Sequence, residues 1–271
     1  MLFLNVHSIW DSNRPVPSNV IYLGGLHSII KKELPKDLEN ELNSSIKGAI
    51  YVSFGSVIDP KIFSEVVLQI FINVFSRLPY DVYWKWNSTR MSRLPKNIKV
   101  YDWFPQSDLL RHKNIKLFIT HGGLQSTDEA IAAGVPLIGI PIYWDQFFNV
   151  DKYIQLKIGE RLDIELLTEE ELEDTINDVI NDKTYRNNIK QLHLHMTDTP
   201  LSSLDQAIFW TEYVLRHGAE HLKSPSMNIS WFDYYEFDIV FIITMLLVSL
   251  LYIVFRLVKC FKKITYKNKR D

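Results

Sequence analysis

The residues best suited to chemistry gather between Trp103 and Gln146. His121 and the pair Gly122-Gly123 follow an apolar, β-branched run from Lys116 to Thr120, and a helical pattern starts directly after them. Glycines at such a junction let the backbone approach an anion closely, and the next helix offers unpaired N–H groups and the positive end of its dipole. Gln125 and Ser126, in the first helical turn, add side-chain donors, and His121 has a ring N–H for a phosphate oxygen. Glu129, one turn further on, is an acceptor that suits ribose hydroxyls. A second apolar run, Val135 to Ile140, ends in Pro141, and Asp145-Gln146 just beyond it accept from and donate to several hydroxyls, as holding a sugar requires. Trp103 offers a flat face for a base. Together these residues suit a sugar-bearing nucleotide diphosphate, provided the elements around them form an open parallel sheet. Ligands of such sheets bind at the carboxyl ends of the strands.

The surrounding chain supplies those elements. Ala49 to Phe54 reads as a strand ending in Gly55-Ser56, and Pro60 lies near a helix start. The helix that follows shows apolar residues at Ile62, Val66, Ile70 and Val74. Asp81 to Trp86, Asn97 to Tyr101 and Arg161 to Ile164 are strand-like, giving about six strands that alternate with helices. That alternation predicts an α/β fold, a Rossmann-like parallel sheet with helices on both faces. Further helices are expected over Thr168 to Asn181, Thr184 to Met196 and Leu204 to His217, with Thr168 and Glu171 forming a capping box. Lys31 to Lys47 reads as an exposed loop with a helical turn. Met1 to Trp10, with no basic start and only a short apolar run, reads as a buried strand ending at His7-Ser8 rather than a signal peptide. Asp11 to Ser18, with Pro15 and Pro17, is a turn-rich linker.

Ile239 to Phe255 carries no charge, and snorkelling of Arg256 extends the apolar stretch through Val258, enough for one membrane-spanning helix. Trp231, Phe232, Tyr234 and Tyr235 precede it, as interfacial aromatics do. Seven basic residues and one acid lie from Arg256 to the end, so the positive-inside rule puts the tail in the cytosol and the rest across the membrane. The overall charge of -2 therefore leaves the body acidic, at about -8, which argues against nucleic-acid binding. One cysteine, Cys260, excludes an internal disulfide framework. His193-Leu194-His195 points its histidines to different helix faces, and the remaining histidines have no arranged ligands, so no metal is expected. No Gly-x-Ser-x-Gly elbow and no Gly-x-Gly-x-x-Gly turn occurs, which disfavours a serine hydrolase and a dinucleotide oxidoreductase.

The run from the aromatic-x-Pro-Gln opening through Thr-His-x-Gly-x-x-Ser-x-x-Glu and Gly-x-Pro to Asp-Gln resembles the signature of the UDP-glycosyltransferases, the family of the animal UDP-glucuronosyltransferases. The resemblance implies the C-terminal domain of a GT-B glycosyltransferase, taking UDP-glucose or UDP-glucuronate, without a metal or other cofactor. It would transfer the hexosyl group, with inversion, to a hydroxyl of a small lipophilic acceptor. It implies uracil stacking on Trp103 and nucleoside contact or turn bracing by Gln106. It also implies diphosphate contact by His121, Gly123, Gln125 and Ser126, ribose binding by Glu129, and sugar recognition by Asp145 and Gln146. On residues alone Ser56 serves equally as a turn residue or a diphosphate contact; the family pattern favours contact. Gln125 stands where many relatives carry Asn. Trp144 and Phe147 serve equally as sugar-pocket walls or as packing.

In the same reading residues 1–27 close the acceptor domain and cross over, 28–222 form the UDP-sugar domain, 223–238 approach the membrane, 239–258 span it, and 259–271 form the tail. The family's histidine base lies in an N-terminal domain that this sequence does not contain, so the isolated chain is expected to be inactive. A short form that binds UDP-sugar or a full-length partner without catalysis is the alternative, and a homo- or hetero-oligomer is compatible with either. Lys267 and Lys269 are spaced like an endoplasmic-reticulum retrieval signal. The sequons at Asn43, Asn87 and Asn228 agree with a lumenal domain.

Overall fold

The computed structural model describes residues 1–28, 32–56, 58–59, 62–86 and 94–267. The structure divides into two compact units, one built from residues 1–16 and 20–217, the other from 17–19 and 218–271. In the first unit, β1 (Leu2–Leu4) and β2 (Val20–Tyr22) form a small parallel pair. The helix α1 (Lys36–Ser44) comes next, then β3 (Ala49–Ser53), α2 (Glu65–Arg77), β4 (Asp81–Lys85) and β5 (Ile98–Tyr101). The signature region comprises α3 (Gln106–Leu110), β6 (Ile115–Thr120), α4 (Leu124–Ala133), β7 (Leu137–Gly139) and α5 (Asp145–Gln155). The strand β8 (Gly159–Arg161) and the helices α6 (Glu169–Asn181), α7 (Lys183–Thr197) and α8 (Ser203–His217) complete the unit.

Six strands form one parallel sheet in the order β5-β4-β3-β6-β7-β8. The chain runs outward from β3 in one direction and from β6 in the other, so the order reverses between these two central strands. That is the switch point at which open α/β sheets leave a crevice for ligands. The register then lines up Tyr101, Lys85, Ser53, Thr120, Gly139 and Arg161 as one row across the sheet. Residues just past that row are brought to one edge, whatever their distance in sequence.

Side chains alternate between the two faces of the strands. Ile50, Val52, Val82, Trp84 and Ile119 join α2 and α6 in one core, whereas Ala49, Tyr51, Tyr83 and Phe118 join α1, α3, α4, α5 and α7 in another. Helices therefore cover both faces, as the alternation of elements predicts. Ser64 caps α2 by accepting from the Val67 N–H, and Thr168 caps α6 by accepting from the Glu171 N–H.

Four details differ from the sequence reading. The strand near Met1 is short and mostly exposed rather than buried. Residues 36–44 make a full helix, because Leu38 and Leu42, one turn apart, bury against the sheet. The buried stripe of α2 is Leu68, Phe71, Val74 and Phe75, whereas Val66 is 70% exposed. Eight of the thirteen residues of α2 are apolar, so spacing alone does not select the face. The last strand is Gly159–Arg161 rather than 161–164: Gly159 lets the backbone pair against Leu137 from that residue on, where a Cβ would come 2.1 Å from the Leu137 carbonyl oxygen. Pro60, the Asn87 sequon and the tail beyond Lys267 lie outside the described residues.

In the second unit, α9 (Trp231–Tyr234) precedes α10 (Phe237–Lys267). Within α10, the 24 residues Phe237–Cys260 are long and apolar enough to cross a membrane. The Arg256 guanidinium donates to the Tyr252 hydroxyl at 3.0 Å, one turn back.

Phe71 is wholly buried against Phe54, Phe75 and Trp84. Phe71→Ala is expected to cost about 3–5 kcal/mol in urea denaturation. Val66→Ala, on the exposed face of the same helix, should change stability by no more than about 0.5 kcal/mol.

Candidate functional site

The edge just past the aligned row holds the site. After Ser53, Gly55 turns with φ +80°; after Thr120, His121 enters the turn toward α4. The His121 ring lies between two glycines. A Cβ at Gly55 would come 2.8 Å from its Cε1, and one at Gly123 would come 2.7 Å from its Nε2. Only glycines leave room for the ring at the switch point. Burial pushes the His121 pKa down to about 4, against the opposing pull of the Asp145 carboxylate and with help from Lys85. The imidazole is therefore neutral near pH 7, with one nitrogen able to donate and one able to accept.

The helix α4 begins at Gly123 with no side-chain cap, which leaves its first N–H groups open toward this edge. Its turn is held from behind. Asn149 donates to the Gly122 carbonyl at 2.9 Å and to Asp145 Oδ2 at 3.0 Å, and accepts from Trp10 Nε1 at 2.8 Å. Gly122 itself has φ +88°, and a Cβ there would meet Val150 at 2.5 Å.

A cleft of about 740 Å3 opens beside this turn. Its lining includes Ser56, Trp103, Gln106, Gln125, Ser126 and Glu129, brought together from the turn after β3, the β5–α3 loop, α3 and α4. Gln106 organises its floor. Its Nε2 donates to Ser126 Oγ at 2.9 Å and Glu129 Oε2 at 2.6 Å, while its Oε1 accepts from the Tyr51 hydroxyl at 3.0 Å. Ser126 keeps its own O–H, and Glu129 keeps its second oxygen, for other contacts. Trp103 is 70% exposed, unlike the buried Trp84 and Trp86. The Lys85 ammonium sits 4.3 Å from the Trp103 ring centre and donates to the Gly55 carbonyl at 3.1 Å. Burial lowers the Lys85 pKa.

His121, Gly123, Asp145 and Gln146 do not line the cleft but lie along the same edge. Asp145 is exposed at the start of α5, within electrostatic reach of His121. Gln146 is buried, and its Oε1 accepts the N–H groups of Ile142 and Tyr143, both at 2.9 Å. Its oxygen is thus committed to shaping the loop rather than free for a sugar. Trp144 is 80% exposed with φ 48°, so it is not core packing. Phe147 lies under the Arg161 guanidinium and borders a separate groove of about 760 Å3.

Three contributors escape a reading of residues alone. Lys85 looks like an ordinary strand residue; only its register with Ser53 shows that it ends at the cleft. Tyr51 looks like core and supplies the hydrogen bond that orients Gln106. Asn149 carries a faint signal, four residues after Asp145 on a helix. Among the described residues no group of three or more metal-ligating side chains exists.

The family described as UDP-glucoronosyl and UDP-glucosyl transferase matches residues 3–271. The chain belongs to that family. The ecdysteroid UDP-glucosyltransferase of Lacanobia oleracea granulosis virus is 44% identical over 223 residues, covering 80% of this chain and 48% of the relative. The UDP-glucuronosyltransferase 2B14 of Oryctolagus cuniculus is 35% identical, covering 98% of this chain and 51% of the relative. The chain thus spans about half the length of the curated relatives it matches. Among solved structures, Os79 from O. sativa, in complex with U2F and trichothecene, aligns with TM-score 0.66 and 23% identity over 79% of this chain and 54% of that one. That likeness shows a shared fold, one half of a GT-B glycosyltransferase.

The depressed pKa of His121 has a stability signature. The unfolded chain takes up the proton first, so stability is lost as pH falls from about 6.5 through about 4. Urea denaturation across that range should show a smaller loss for His121→Gln than for the parent chain, and equal losses would contradict a buried neutral imidazole.

Proposed function

We propose that this chain is the donor-binding half of a UDP-glycosyltransferase, holding UDP-glucose or UDP-glucuronate for hexosyl transfer to a hydroxyl of a small lipophilic acceptor. The observation that carries the proposal is the cleft in which Gln106 ties Ser126 to Glu129 beside an exposed Trp103. The uracil stacks on Trp103, and Glu129 accepts from the ribose. The diphosphate meets the Ser126 hydroxyl, Ser56, Gln125, the backbone at Gly123 and the open N–H groups of α4. His121 donates one neutral N–H, so the positive charge near the diphosphate comes from Lys85 and the helix end rather than from an imidazolium. Asp145 receives sugar hydroxyls, and the Gln146-shaped loop frames them.

In the transfer, the acceptor oxygen bonds to the anomeric carbon from the side opposite UDP as the bond to the phosphate oxygen breaks, with inversion. Charge builds on the departing diphosphate where preorganised donors already point, and such fields lower barriers without reorganisation. The base that takes the acceptor proton comes from outside this chain, in the half by which its relatives exceed it, so the chain alone binds donor without turnover. The relatives named for ecdysteroids support a lipophilic acceptor. Phe237–Cys260 anchors the protein in the endoplasmic-reticulum membrane, with the sheet unit lumenal and the lysine-rich tail cytosolic.

Titration calorimetry of the detergent-solubilised chain with UDP, UDP-glucose and UDP-glucuronate, in chelator, tests this reading. All three are expected to bind. Trp103→Ala should weaken UDP by about 1–3 kcal/mol, the scale of base–aromatic stacking. Gly123→Ala, which the backbone there tolerates at φ -63° but which pushes on His121, should also weaken it. A folded chain that ignores all three ligands would refute the proposal.

A further inference from the structure

Trp10 lies in the turns between β1 and β2, far in sequence from the signature region, yet its side chain is 1% exposed and packs behind the glycine turn. Its ring rests on Tyr153 of α5, with centroids 6.2 Å apart. The Tyr153 hydroxyl donates to Thr127 Oγ1, because the Thr127 O–H is spent on the Gly123 carbonyl at 3.1 Å. An indole N–H can only donate, and this one goes to Asn149 Oδ1 at 2.8 Å.

Asn149 is itself buried, and its contacts permit one orientation of the amide. The Gly122 carbonyl and the Asp145 carboxylate only accept, so both must face Nδ2, and the indole N–H must face Oδ1. Both Nδ2 hydrogens and Oδ1 are then engaged. What the amide holds is turned toward a ligand on two sides. In a trans peptide the carbonyl and the next N–H point in opposite directions, and no peptide here is cis. With the Gly122 carbonyl turned back to Asn149, the Gly123 N–H is turned out to the sheet edge. At Asp145 the bond to Oδ2 sets the plane of the carboxylate and leaves Oδ1 for a ligand.

We infer that Trp10 is a positioning residue of the donor site, acting through the Asn149 amide to aim the Gly123 N–H at the diphosphate and the Asp145 carboxylate at the sugar. This role rests on the donor reading proposed above and adds to it a residue from outside the signature. Without the indole N–H, Oδ1 becomes a buried acceptor with no donor, at a cost comparable to what the amide's other bonds return. The amide then turns or shifts to find a donor, and the two groups it held lose their aim together. Trp103 and Glu129, at the uridine end of the cleft, are held by other contacts.

The test is titration calorimetry of the full chain in detergent with uridine, UDP and UDP-glucose. Trp10→Phe keeps a ring and deletes the donor. It should leave uridine affinity unchanged, weaken UDP about threefold and weaken UDP-glucose about tenfold, because uridine meets neither aimed group, UDP one and UDP-glucose both. Trp103→Ala should instead weaken all three alike. Asn149→Asp still accepts from the indole but has no hydrogen for Gly122 or Asp145, so it should weaken UDP-glucose at least as much. Adding Trp10→Phe to it should bring no further loss, since Trp10 acts only through the amide. Should Trp10→Phe fail to fold, β-(3-benzothienyl)alanine at position 10, with the indole's shape but no N–H, takes its place. Equal losses for the three ligands, no loss for UDP-glucose, or additive losses in the double variant would overturn the inference and leave the donor reading intact. A folded parent chain that binds none of the three would overturn both.

Discussion

The site depends on a steric constraint: an imidazole held between two glycines from neighbouring strands. The parallel pairing of β3 with β6 sets Ser53 beside Thr120, so the residues that follow must share one small space. A side chain at Gly55 or Gly123 would collide with the His121 ring, and Gly55 in addition needs a left-handed backbone. With the ring seated, α4 starts where its open N–H groups face the sheet edge, and Asn149 fixes the turn from behind. The cleft floor follows from the same placement. Only with α4 in this position do Ser126 and Glu129 fall within reach of one amide from α3.

Charge is arranged with similar economy. A neutral His121 avoids burying a cation, whose desolvation would oppose the fold. The formal positive charge is carried instead by Lys85, whose stem enters from β4 and whose ammonium rests on Trp103 and the Gly55 carbonyl. One side chain thereby supports both the aromatic platform and the glycine turn.

Much of this was legible in the sequence, for identifiable reasons. The strand–turn–helix–strand unit shows because β6 and β7 are buried on both faces and read as apolar runs, and Gly122-Gly123 punctuates them. The two-sided sheet follows from the alternation of elements. What was hidden depends on neighbours far apart in the chain. The face of α2 is chosen by Trp84 and Phe54, not by its own spacing. The role of Lys85 needs the register, and that of Tyr51 needs Gln106. Gln146 illustrates the same limit differently: its amide has the right chemistry for a sugar, yet two backbone N–H groups three and four residues earlier claim its oxygen.

That claim has an effect beyond geometry. With Ile142 and Tyr143 both hydrogen-bonded to a buried side chain, the loop beside Asp145 is already ordered during folding. Backbone immobilisation costs on the order of 1–2 kcal/mol per residue, and for Ile142 and Tyr143 that cost is met in folding rather than in binding. Trp144, next in the chain, has φ 48°, a conformation that an isolated peptide would rarely sample. Under the proposed function, a sugar at this end of the sheet would meet a loop braced in advance, and discrimination among ligands would fall to fit rather than to loop rearrangement.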